Sequence, residues 1–109
     1  MAQRVDGSPE DARAAHETAV GLHVARLMSL ARAFRSDGGR ELRDDPEIRT
    51  AQTDLIMALL RSCADGTSLD ALRARFIAPV ERESRIHAEA TAVLTDTVRL
   101  VERHLARRA

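Results

Sequence analysis

The chain has no lysine, no tryptophan and no tyrosine, and its only aromatic side chains are Phe34 and Phe76. Two aromatics make no platform on which bases stack. All 17 cationic side chains are arginine, and 17 carboxylates balance them to a net charge of zero. Nucleic-acid affinity comes largely from clustered positive charge, so a neutral domain argues against that partner. Cysteine is nearly absent too. Cys63 stands alone, which rules out an internal disulfide and makes a reducing, cytoplasmic setting the expectation. The longest apolar run, "LIMALL" from Leu55 to Leu60, is far short of a membrane span. The opening "MAQRVDGSPEDARAAH" holds no apolar core of signal-peptide length. Period-two runs of β-branched residues are missing, so no strand is expected.

What is present reads as helix. Residues 1–8 form a short flexible tail, and 9–109 form a single domain. In "SPED", Ser8 caps, Pro9 suits the first helical position, and Glu10 and Asp11 complement the helix dipole. From there to about residue 35 the series Val20, Val24, Leu27, Ala31, Phe34, with Leu30 beside it, makes one wide apolar stripe. Gly38 and Gly39 end the helix. Asp45, Pro46 and Glu47 open a second helix over about 46–64, and "LIMALL" makes it apolar all the way round. Gly66 closes that helix, and Thr67 with Asp70 reads as a capping box for a short helix over about 68–77. Pro79 either kinks a continuous third helix or, as Glu81 and Glu83 just after it favour, starts a last long helix to about 107, with Ala78 leaving the helical region. The fold class is therefore all-α: two long helices flanking two shorter ones, antiparallel because the loops are short.

The four histidines fall on or beside the stripes of the long helices. A stripe in the last helix runs Val80, Ser84, His87, Thr91, Leu94, Val98, Val101, Leu105, and its first half is polar. If the long helices are antiparallel and start level, a rise of about 1.5 Å per residue sets His23 at the height of His87. His16 and His104 fall near each other by the same argument. Glu83, one turn before His87, completes a set whose ligand types suit zinc, iron or copper. His23, His87, Glu83, Ser84 and Thr91 are equally a candidate lining for a polar small molecule, with His16 and His104 in reserve. Against this stand the missing tight signatures: no H-E-x-x-H, no C-x-x-C, and about 10 Å between the two histidines of one helix. An inward histidine more often bonds one carbonyl or carboxylate and is structural. No cofactor is required by these residues; a transition metal is the one they accommodate.

Arg82 with His87 and Arg99 with His104 fit R-x4-H, the motif of HEPN-type ribonucleases, though among 17 arginines such spacing is common. The order of elements resembles the small all-α chorismate mutases: a long helix, a loop, "DPEIR", a short helix after "SLD", and a last helix carrying Ser84. That resemblance implies a small helical enzyme binding a dicarboxylate through arginines and a lysine. This chain lacks the lysine, and no active-site residue maps onto it one for one. A separate reading is a small helical enzyme acting on an anion through arginines such as Arg26 or Arg85. No catalytic signature is present, so the leading expectation is a bundle acting through self-association or a protein partner. The all-round apolar second helix makes Leu55, Ile56, Met57, Leu59 and Leu60 the expected homodimer contact.

Overall fold

A computed structural model describes residues 9–34, 41–83 and 88–108 of the chain. The expected tail over 1–8, the Ser8 cap, the glycine stop at Gly38–Gly39, and Ser84, Arg85 and His87 lie outside the described residues. The rest is helical, with no strand among the described residues. The elements are α1 (Pro9–Ala33), a 3-10 turn (Leu42–Asp44), α2 (Pro46–Ala64), α3 (Leu69–Leu72), a π-helical segment (Arg73–Ile77), α4 (Ala78–Glu83) and α5 (Ala88–Arg108). They pack as an all-α bundle, and none of the described helices is long and apolar enough to cross a membrane.

The stripes form the core as their spacing requires. α1 buries Val20, Val24, Leu27, Met28 and Ala31; α2 buries Ile48, Ala51, Leu55, Ala58 and Leu59; α5 buries Ala90, Val93, Leu94, Val98 and Val101. Leu42, in the 3-10 turn, adds a side chain from the loop between α1 and α2. Along α1 and α2 the partners run in opposite order: His16 meets Asp65, and Arg26 meets Asp54. Gly21 is a packing device in α1. A Cβ there would stand 3.1 Å from two ring carbons of Phe76, so the missing side chain lets the π-helical segment approach.

α2 begins and ends as expected. Asp45 accepts the Ile48 amide at 3.2 Å, with Pro46 in the first turn. At the other end Gly66 has φ of 102°, the Thr67 amide reaches the Ser62 carbonyl, and the Gly66 amide reaches that of Cys63. That pair of bonds is a Schellman motif, which requires the left-handed residue that glycine supplies.

Two expectations are corrected. The cap of α3 is Ser68, whose Oγ accepts the Ala71 amide at 3.1 Å; Thr67 instead turns its hydroxyl to Glu17. The helix also does not break before Pro79. Ala78 keeps helical angles (φ −57°, ψ −41°), and the chain is helical without interruption over 69–83. The expected boundary between a helix over 68–77 and one starting at 79 therefore falls inside one helical stretch. The cause is the π-helical segment. The Ala78 amide bonds the Arg73 carbonyl, five residues back rather than four. A proline inside an α-helix clashes with the carbonyl four residues before it and leaves that carbonyl without a donor. A wide turn just upstream shifts the register and admits the ring.

Candidate functional site

The polar side chains gather in two places. The first joins the early turns of α1 to the turn between α2 and α3. His16 Nδ1 bonds the carboxylate of Asp65, and Arg13 Nη2 donates to the Asp65 carbonyl at 3.1 Å. One turn on, Glu17 Oε2 accepts from Thr67 Oγ1 at 3.0 Å, and its Oε1 accepts from Arg75 at 2.6 Å. The Arg75 guanidinium also lies 4.8 Å from the centre of the Phe76 ring. Every group here has a protein partner, so this cluster fastens α1 to the α2–α3 turn and the π-helical segment.

The other histidine candidates are dispersed. His23 is half-buried and lines a recess of about 150 Å³ with Ala19, Asp54, Met57, Ala58 and Arg61, between α1 and α2. Arg26 beside it pairs with Asp54 at 3.5 Å. Thr91 is half-buried in α5 and lines a different recess with Glu81, Thr95, Asp96 and Arg99. Glu83 is exposed at the end of α4, and His104 is half-buried near the end of α5. No three His, Cys, Asp or Glu among the described residues are placed to hold a metal ion. Cys63 is half-buried, and that burial pushes its thiol above the usual range, away from nucleophilic chemistry at neutral pH.

The second gathering was not foreseen from the sequence. A recess of about 450 Å³ opens between α2, α5 and the 3-10 turn. Arg43, Arg49, Arg99 and Arg103 line it, with Asp44, Asp96, Gln52 and Leu100. Asp96, Arg99, Leu100 and Arg103 recur at steps of three and four, so one face of α5 was legible; Arg43 and Arg49 arrive only through the fold.

The expected interface residues divide by face. Leu55 and Leu59 are fully buried in the chain's own core, Ile56 and Leu60 pack against it, and Met57 stays 52% exposed. Among the described residues the most exposed large apolar side chain is Leu22, at 66%, on the side of α1 turned away from the core. Comparison with known proteins returned no match: no protein family, no curated protein and no solved structure matches the chain.

Proposed function

We propose that this chain is a small cytoplasmic helical-bundle protein that works by associating with a second copy of itself along the outward face of α1. The observation that carries this reading is an uncharged seam. Ala15, Thr18, Leu22, Ala25 and Ser29 recur at steps of three and four, and all are exposed. They run along about four turns of a surface helix in a chain that is 31% charged, and the charge beside them, Arg26 one turn after Leu22, is paired with Asp54. A helix face of that kind normally carries Glu, Arg or Lys. Here Arg13, Glu17 and Arg26 lie on the flanks of α1 and make contacts within the chain.

The seam can also face itself: two copies crossing at Leu22 about a two-fold axis bring Ala15 of one α1 over Ser29 of the other and Thr18 over Ala25, twice. Small side chains around a central leucine let the helix axes approach to about 8–10 Å. A single half-buried thiol suits the reducing compartment. Light scattering tests the reading: the parent chain should give twice the chain mass, and Leu22→Glu should give the monomer with unchanged helicity. A parent that stays monomeric at high micromolar concentration overturns it.

A further inference from the structure

We infer that the recess between α2, α5 and the 3-10 turn is a binding site for a small oxyanion, a carboxylate or a phosphate. Arg49 enters it from the first turns of α2, and Arg99 and Arg103 from α5. None of these three guanidinium groups has a hydrogen bond or ion pair to any described residue. Arg43, in the same lining, pairs with Glu41, and outside the recess Arg26, Arg73 and Arg75 pair with Asp54, Glu102 and Glu17, while Arg61, Arg82, Arg107 and Arg108 have no side-chain partner among the described residues. Arg99 and Arg103 stand one turn apart on the same face, a like-charge arrangement that is unfavourable without an anion between them. The guanidinium fork matches the two oxygens of a carboxylate or phosphate, and arginines from two helices line one recess. That volume, about 450 Å³, lies in the range of small-molecule sites.

The other walls narrow the ligand. Asp44 and Asp96 line the same recess. They accept hydrogen bonds from a hydroxyl or ammonium group beside the oxyanion head. Leu100, 42% exposed, offers an apolar wall. The fitting ligand is an oxyanion head on a short organic body carrying hydrogen-bond donors. This inference is independent of the α1 seam, which involves neither α2 nor α5.

Titration followed by the arginine side-chain Nε–H NMR signals tests it, with inorganic phosphate, succinate and serine as probes and chloride at equal ionic strength as control. At least one probe should give saturable shifts confined to the signals of the recess arginines, Arg43, Arg49, Arg99 and Arg103. Arg99→Ala and Arg103→Ala should each weaken binding at least tenfold, and Arg26→Ala should leave it unchanged. All three side chains are exposed, so circular dichroism should report the parent fold in each variant. The site is overturned if no probe saturates, if chloride produces the same shifts, or if Arg26→Ala weakens binding as much as the other two. Saturation by phosphate alone assigns a phosphate head, by succinate alone a simple carboxylate, and by serine a carboxylate whose ammonium group meets the aspartates.

Discussion

Ser62 and Thr97 are the two buried polar residues of the described core, and they are treated differently. Thr97 Oγ1 donates to the Val93 carbonyl at 2.8 Å and accepts from Gln52 at 3.1 Å. Ser62 Oγ is buried with no hydrogen-bond partner among the described residues. An unmade bond of that kind costs about 1–3 kcal/mol. Ser62→Ala should therefore raise stability by about 1 kcal/mol in urea unfolding; a loss of stability would mean the hydroxyl is bonded. Glu17 is the opposite case, holding Thr67 and Arg75 together with its side chain only 18% exposed. Glu17→Ala should cost about 1 kcal/mol, and Glu17→Gln less, because the bond from Thr67 survives. Cys63 should react slowly with thiol reagents at neutral pH and speed up only at alkaline pH, since burial raises its pKa. None of these partners was legible in the sequence. Asp65 lies 49 residues from His16, and Thr67 lies 50 from Glu17. Helical spacing says which side chains face inward, and only the assembled bundle says what they meet.

The helical elements were the legible part, because a stripe is a local property. The 3.6-residue period placed Val20, Val24, Leu27 and Ala31 inside before any contact was known. Asp45 and Gly66 marked the ends of α2 by side-chain chemistry alone. The passage through Pro79 was hidden, because a π-helical register depends on which carbonyl an amide selects, and no residue type announces that choice. "LIMALL" misled for a related reason. An all-round apolar segment does not say which side is out, and here Leu55 and Leu59 went in while Met57 stayed out. Gly21 has a readable consequence at this scale. Its bare Cα admits Phe76 at the contact between α1 and the π-helical segment. Gly21→Leu should lower stability by roughly 1–3 kcal/mol through overpacking, seen as a lower denaturation midpoint with helicity retained.

For the whole molecule, the charges of α1 give the seam its meaning. Glu17 and Arg26 are held by other elements, and what remains outward is Ala15, Thr18, Leu22, Ala25 and Ser29. The inner stripe of large residues is the stronger pattern and masks this weaker outer one, whose side chains are mostly small. Leu22, at the centre of the seam and 66% exposed, makes the most direct test, through sedimentation equilibrium of the parent and Leu22→Arg. The parent should sediment at twice the chain mass, and Leu22→Arg, which places a charge on the seam of both copies, should sediment as the monomer with unchanged helicity. A parent that sediments as a monomer, or a Leu22→Arg variant that dimerises as the parent does, would contradict association through α1.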